Sequence, residues 1–167
     1  MIDPCRLWLQ QKRNSPILAA LAAAGDGNAS PPATESQSDS SRVPATGLHA
    51  LLVEDQTIIA MDTESMLLEL GAASVHSCTT AGAALTWLKN EKTDIGVLDI
   101  SLGEGTSFPV ADYLRSASVP FVFTTGYDDS GAIPERFADV PVARKPYTLK
   151  TLAAAIDLCL RTRGANT

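Results

Sequence analysis

Residues 94–104 read DIGVLDISLGE, and this stretch sets a carboxylate directly at the end of an apolar run. Residues 95–98 have the length and composition of a strand that is buried on both faces, as strands are inside a parallel sheet. Asp99 follows at once, and a loop follows Asp99. Because an isolated buried charge costs free energy unless other groups compensate for it, the chemistry of the chain depends on what surrounds Asp99.

Strand and helix patterns alternate on both sides of this run. Apolar segments predict five strands, at residues 49–53, 73–78, 95–98, 120–125 and 141–144. Apolar residues at helical spacing predict helices after the first, second, third and fifth strands. Residues 128–139 lack that spacing, which predicts a short or irregular fourth helix. The alternation predicts an α/β fold, a doubly wound five-stranded parallel sheet with helices on both faces.

One proline indicates the order of the strands. Pro141 cannot donate a hydrogen bond to a neighbouring strand, so the last strand is expected at an edge of the sheet. This fits the flavodoxin-like order 2-1-3-4-5, in which ligands bind beyond the carboxyl ends of the strands where the order reverses. Strands 1 and 3 flank that point, so Asp99 is predicted to lie in the binding crevice.

The composition changes sharply near residue 47. Residues 25–47 are rich in Ser, Pro, Thr and Asp and nearly free of large apolar side chains, so they cannot compensate for the entropy cost of ordering. We expect residues 1–46 to form a disordered or partly helical tail and linker, residues 47–162 the folded domain, and residues 163–167 a short C-terminal tail. No output domain is expected after the last helix.

The bulk composition argues against several classes of protein. The net charge of −6 does not suit a nucleic-acid binder, which usually has a basic face. The three cysteines have no metal-ligand spacing, and their odd number favours a reducing compartment over a disulfide framework. No stretch approaches the roughly 20 apolar residues that a membrane-spanning helix needs. A cytoplasmic protein without membrane insertion is therefore expected.

Polar side chains stand at the carboxyl ends of the predicted strands. They are three carboxylates, one hydroxyl and one ammonium: Glu54, Asp55, Asp99, Thr125 and Lys145. Three neighbouring carboxylates repel one another unless a cation lies among them. Mg²⁺ suits such a site because it binds few carboxylates, keeps waters and accepts phosphate oxygens.

These groups together describe the transfer of a phosphoryl group onto a carboxylate. Asp99 is the predicted nucleophile, which would form an aspartyl phosphate. The predicted Mg²⁺ ligands are the carboxylates of Glu54, Asp55 and Asp99 and the backbone carbonyl of Ser101.

Two further groups are expected to bind the transferred phosphoryl group. Lys145 would bind one phosphoryl oxygen, and the hydroxyl of Thr125 would bind another. Gly126 would let the backbone follow Thr125 inward, because glycine has no Cβ penalty. Tyr127 is the nearest large side chain that would report this movement, so Thr125, Gly126 and Tyr127 form the predicted switch.

The four strand ends, taken in order, resemble the receiver domains of bacterial two-component response regulators. The resemblance covers residues 47–161, and residues 120–127, PFVFTTGY, are similar to the strand-4 motif of the single-domain FAT GUY regulators. Thr124 departs from that motif, which has Ala there, and Val142 stands where many receivers have an aromatic switch residue. The resemblance implies a cis peptide bond between Lys145 and Pro146.

The resemblance also implies the function and the partners. It implies a stand-alone response regulator that accepts a phosphoryl group on Asp99 and signals by protein contact in a phosphorelay. The phosphoryl donor would be a sensor histidine kinase of the HWE/HisKA2 type. Such a protein is not an enzyme for external substrates, since it catalyses only its own phosphorylation and dephosphorylation.

Two alternatives stay open at this level. An aspartate-nucleophile phosphatase of the haloacid-dehalogenase kind also uses a carboxylate after a parallel strand, but it needs a second Asp two residues later as acid/base, and here that residue is Ser101. A degenerate receiver would bind partners without phosphorylation, although every catalytic position of the motif is occupied as expected.

Overall fold

The computed structural model describes residues 44–103, 105–126 and 133–164. Within these ranges the strands are β1 His49–Val53, β2 Ser74–Cys78, β3 Ile95–Asp99, β4 Ser101–Leu102, β5 Gly105–Thr106, β6 Phe121–Thr125 and β7 Val142–Arg144. The α-helices are α1 Thr57–Glu69, α2 Ala81–Leu88, α3 Phe108–Ser116 and α4 Leu149–Gly164, and a 3-10 helix spans Glu135–Phe137.

Five strands form one parallel sheet in the order β2-β1-β3-β6-β7. The fourth and fifth predicted strands are β6 and β7, so the order 2-1-3-4-5 is confirmed. The strand that follows Pro141 lies at an edge, as expected for a residue without an amide hydrogen. The two remaining strands, β4 and β5, form a separate antiparallel hairpin that the sequence did not predict.

Side chains alternate between the two faces of the sheet and build a core on each. In β1, Ala50 and Leu52 belong to one core with residues of α1 and α4, whereas Leu51 and Val53 belong to the other core with residues of α2 and α3. We call these the α1/α4 core and the α2/α3 core. Each fully buried Leu or Val contributes roughly 1.5–3 kcal/mol to the stability of the fold. The presence of a core on both faces confirms the doubly wound arrangement and explains the continuous apolar runs.

The connection between β6 and β7 has little regular structure in its described part. Only the three-residue 3-10 helix is present within residues 133–141, in agreement with the expected short or irregular helix. Phe137 is fully buried in the α2/α3 core, where its ring lies 5.5 Å from that of Phe123. One aromatic side chain therefore fixes the segment to the sheet.

The packed region includes residues just before the predicted domain boundary at Gly47. Ala45 is fully buried, and its carbonyl accepts a hydrogen bond from Leu48 N at 3.1 Å. Residues 1–43 and 165–167 lie outside the described residues, so the predicted boundaries stay predictions. In the described part of the chain, no helix is long and apolar enough to span a membrane.

Gly96 allows α3 to pack closely on β3, and this gives a test of the packing. A Cβ at Gly96 would lie 2.6 Å from Leu114 Cδ1 and 3.1 Å from Phe121 Cβ, both in buried side chains. We expect Gly96→Ala to lower the free energy of unfolding by about 1–3 kcal/mol, measured by urea denaturation. Gly82→Ala is the control, because nothing lies within 4 Å of its Cβ and alanine favours the helix. Equal stability of Gly96→Ala and wild type would contradict this packing.

Candidate functional site

The sheet order brings the predicted site residues to one edge. Glu54 follows β1, Asp99 ends β3, Thr125 ends β6 and Lys145 follows β7. The strands are parallel, so their carboxyl ends lie at the same edge. The chain crosses from β2 to β3 past β1, and the crevice beyond β1 and β3 is where ligands bind in open α/β sheets.

The ammonium of Lys145 lies between two carboxylates of this crevice. Its Nζ donates hydrogen bonds to Glu54 Oε2 at 2.6 Å and to Asp99 Oδ2 at 2.8 Å. The Glu54 and Asp99 side chains are 1% and 3% exposed, and that of Lys145 is 14% exposed. At this depth a charge without a partner is strongly unfavourable. Lys145 is therefore one of the groups that compensate for the charge at the end of β3.

The pKa values of this pair follow from burial and from the mutual hydrogen bonds. Burial raises the pKa of Asp99 to about 6, and the negative charge of Glu54 acts in the same direction, against the lowering effect of Lys145. Burial works against the charged form of Lys145, but its hydrogen bonds to Asp99 and Glu54 outweigh burial and raise its pKa. The ammonium is therefore the stable form of Lys145 at neutral pH.

Three carboxylates converge beside the ammonium in a way that fits a divalent cation. One oxygen each from Glu54, Asp55 and Asp99 lies within 4.8 Å of the other two. Asp55 Oδ1 is buried and has no hydrogen-bond partner within residues 44–103, 105–126 and 133–164. Three carboxylates against one ammonium leave an excess of negative charge, so the donor set suits the oxygen-liganded Mg²⁺ that the sequence predicted. That the ion is Mg²⁺ stays a prediction.

The β4–β5 hairpin holds the second oxygen of Asp55. The backbone N–H of Gly103 donates to Asp55 Oδ2 at 3.0 Å, and a Cβ on Gly103 would lie 3.3 Å from the same oxygen. The sequence analysis did not predict this contact, because no local pattern relates Gly103 to Asp55. Ser101 begins the hairpin two residues after Asp99, and its carbonyl as a metal ligand stays a prediction.

The hydroxyl groups at the end of β6 are both buried. Thr125 is 1% exposed, and its Oγ1 donates a long hydrogen bond, 3.2 Å, to the carbonyl of Gly126. Thr124, which lies beside Asp99 in the sheet register, is also 1% exposed, and its Oγ1 has no hydrogen-bond partner among the described residues. Tyr127 lies outside the described residues. The switch role of Thr125, Gly126 and Tyr127 therefore stays a prediction.

The peptide bond between Lys145 and Pro146 is cis, as the resemblance implied. Residues 50–157 match the sequence model of the response regulator receiver domain. This chain belongs to the receiver family. The resemblance to receivers and the assignment to two-component signalling are thus confirmed, and receivers are regulators rather than enzymes for external substrates.

The chain is similar to regulators of the PhyR kind. PhyR of Methylorubrum extorquens, a phyllosphere-induced regulator, is 30% identical over 113 residues, which cover 66% of this chain but only 42% of PhyR. The solution structure of SdrG from Sphingomonas melonis Fr1 is 36% identical with a TM-score of 0.62, over 70% of this chain and 98% of SdrG. The receiver domain of Erythrobacter litoralis PhyR is 25% identical with a TM-score of 0.60, over 73% of this chain and 96% of that one.

Replacing Asp55 tests the cation site. Asp55→Asn removes one negative charge and the carboxylate oxygen that has no protein partner. We expect Mg²⁺ affinity, measured by isothermal titration calorimetry, to fall at least about tenfold. Asp157→Asn removes a partly exposed carboxylate that pairs with Arg161 on α4, and it should leave the affinity unchanged. Equal Mg²⁺ affinities for Asp55→Asn and wild type would place the ion elsewhere.

Replacing Lys145 tests the compensation of charge. Lys145→Met leaves the buried carboxylates of Glu54 and Asp99 without their shared donor. In the presence of a chelator we expect the free energy of unfolding to fall by up to about 3–5 kcal/mol, and Mg²⁺ should recover more stability in this variant than in wild type. Lys150→Met, at an exposed position in α4, is the control in the same urea denaturation experiment. A variant as stable as wild type without Mg²⁺ would contradict this role of Lys145.

Proposed function

We propose that this chain is a response regulator that accepts a phosphoryl group on Asp99 from a sensor histidine kinase and passes the signal on by protein contact. The observation that supports this most strongly is the sharing of the Lys145 ammonium between Asp99 and Glu54, at 2.8 and 2.6 Å, beside a third carboxylate. A nucleophile, a cation site and a phosphate-binding ammonium are the groups that phosphoryl transfer requires.

In the proposed reaction a carboxylate oxygen of Asp99 attacks the phosphorus of a phosphohistidine. The phosphorus–nitrogen bond breaks, and its electron pair returns to the imidazole of the kinase. Lys145, already bonded to Asp99, holds a phosphoryl oxygen beside the new bond. When bound by Glu54, Asp55, Asp99 and the carbonyl of Ser101, Mg²⁺ would neutralise charge on the transferred group.

The signal is proposed to leave the site through the end of β6. In the described part of the chain, the hydroxyl of Thr125 makes one long hydrogen bond, 3.2 Å to the Gly126 carbonyl, so turning toward a phosphoryl oxygen would cost little. A phosphoryl oxygen would be a stronger acceptor than that carbonyl because it is charged. Gly126 and Tyr127 would then follow Thr125. Phosphorylation could thereby bias the loop, since the contacts of Thr125 would differ between the two states.

The kind of kinase is proposed from the relatives and from the FAT GUY motif. One solved relative, described as the PhyR stress response regulator, is 28% identical with a TM-score of 0.59, over 72% of this chain and 48% of that one. We propose a sensor histidine kinase of the HWE/HisKA2 type as the source of the phosphoryl group, and a cytoplasmic location for this chain. Because the chain spans less than half of PhyR, we propose no particular downstream protein.

The alternatives have weaker support. A haloacid-dehalogenase-like phosphatase does not fit, because the chain matches the receiver family and the position for the second Asp holds Ser101. A degenerate receiver, which would bind partners without phosphorylation, would have the same fold as this chain. The intact set of Glu54, Asp55, Asp99 and Lys145 supports a phosphorylated receiver instead.

Labelling with acetyl phosphate and Mg²⁺ tests the proposal. We expect intact-protein mass spectrometry to show one phosphoryl group per wild-type chain and none on Asp99→Asn, because that change removes the nucleophile. The variant should be at least as stable as wild type, since it removes a buried carboxylate that lies near Glu54. Asp157→Asn is the labelled control. An unlabelled wild type would indicate a degenerate receiver, continuous turnover of acetyl phosphate a phosphatase, and a labelled Asp99→Asn another acceptor.

A further inference from the structure

A pair of hydroxyl groups, one fully buried and one partly buried, lies on the α1/α4 side of the sheet. Tyr147, two residues after Lys145, has its Oη 2.6 Å from Thr63 Oγ1 of α1. Thr63 is fully buried, and its Oγ1 also lies 2.8 Å from the carbonyl oxygen of Ile59. The Tyr147 ring packs against the α1/α4 core. Two hydroxyls and one carbonyl thus form a short chain of hydrogen bonds.

The direction of these bonds follows from the number of hydrogens. The carbonyl of Ile59 can only accept, so the single hydroxyl hydrogen of Thr63 is donated to it. Thr63 Oγ1 must then accept the hydrogen of the Tyr147 hydroxyl. In this arrangement the two hydroxyl groups and the Ile59 carbonyl are all hydrogen-bonded. The bonds thereby fix the position of the Tyr147 ring.

The hydrogen bond between Tyr147 and Thr63 joins two segments of the site. One follows the carboxylate of Asp55, and the other follows the ammonium of Lys145. Helix α1 begins two residues after Asp55, and Tyr147 lies in the short connection between Lys145 and α4. The backbone bond from Lys145 N to Thr125 O, at 2.7 Å, ends the ladder between β6 and β7. The next residue, Pro146, has no amide hydrogen to donate. The side chain of Tyr147 joins this connection to α1 by a hydrogen bond.

We propose that Tyr147 and Thr63 are positioning residues for Lys145, and that their hydrogen bond holds the ammonium where the phosphoryl group is transferred. The inference rests on the proposed function, since it concerns the same reaction. Small displacements of a group that binds the reacting atoms cost large factors in rate, because the productive geometry is narrow. Neither hydroxyl contacts the reacting atoms, so both act through the position of the lysine.

The test is Tyr147→Phe, which removes the hydroxyl and keeps the ring. We expect the initial rate of Asp99 labelling by acetyl phosphate at saturating Mg²⁺ to fall roughly tenfold. The Mg²⁺ dissociation constant, measured by calorimetry, should stay within about twofold, because Lys145 is not a ligand of the ion. If the hydroxyl had a purely structural role, its loss would change both the labelling rate and the Mg²⁺ dissociation constant, or it would change neither. An unchanged rate, or a joint loss of rate and Mg²⁺ affinity, would overturn the proposal.

Matched controls are present in the same chain. The Tyr113 hydroxyl donates to the Leu88 carbonyl at 3.1 Å and links α3 to α2, so Tyr113→Phe removes a comparable bond on the other face of the sheet. Its labelling rate should equal that of wild type. A loss of rate in Tyr113→Phe as large as in Tyr147→Phe would show that any such bond matters and would overturn the proposal.

Variants of Thr63 provide an independent arm. Thr63→Val keeps the shape and removes the acceptor, so it should slow labelling as much as Tyr147→Phe, and the double variant should be no slower than either. Thr86→Val loses the same type of bond to a helix carbonyl, to Gly82 at 2.9 Å, and should label normally. Thr63→Ser keeps a hydroxyl and should restore most of the rate. Additive losses in the double variant would contradict a shared bond.

Failure of this proposal can be told apart from failure of the proposed function. If wild type is not labelled at all, the proposed phosphorylation of Asp99 is wrong, and the positioning role of Tyr147 and Thr63 is wrong with it. If wild type is labelled and both Tyr147→Phe and Thr63→Val label at its rate, only the positioning role is wrong.

Discussion

The Lys145 ammonium, bonded to Glu54 and Asp99 at 2.6 and 2.8 Å, is the interaction on which the rest of the site depends. Both carboxylates are almost fully buried, and removing the ammonium that they share would cost up to about 3–5 kcal/mol, because both would lose their common donor. Lys145 follows β7, whereas Asp99 is on β3, so the side chain must cross β6, a span of about 10 Å between strands. A long, flexible cationic side chain at the end of the edge strand is needed to span the distance from β7 to Asp99.

The sheet register explains what surrounds this crossing. Asp99, Thr124 and Ala143 are successive partners across β3, β6 and β7, and they point to the same face. Small side chains at the last two positions leave room for Lys145 to pass. Thr124 adds a buried hydroxyl that has no partner among the described residues, where the FAT GUY motif has Ala. The proposed cation site includes Asp55, whose carboxylate the β4–β5 hairpin holds through the Gly103 amide.

The connection between β6 and β7 is held in place by tertiary packing, because its sequence pattern does not specify a regular helix. Residues 128–139 lack helical periodicity, and the described part holds only a 3-10 helix. Phe137 helps to hold the segment, and the guanidinium groups of Arg115 and Arg136 lie 5.1 and 4.6 Å from its ring centroid. These arginines also pair with Asp139 and Asp112. A short segment thus reaches the core through one aromatic residue, which periodicity does not reveal.

The sequence by itself determined the alternating strands and helices, the strand order and the polar residues at the strand ends. These follow from local properties, since apolar runs define the strands and parallel topology brings all their carboxyl ends to one edge. The tertiary structure alone decided the sharing of Lys145, the bond from Gly103 to Asp55 across 48 residues and the bond between Tyr147 and Thr63 across 84 residues. Such contacts depend on side-chain conformations and loop paths that are fixed only when both cores pack, because no local pattern specifies the distance between residues so far apart along the chain.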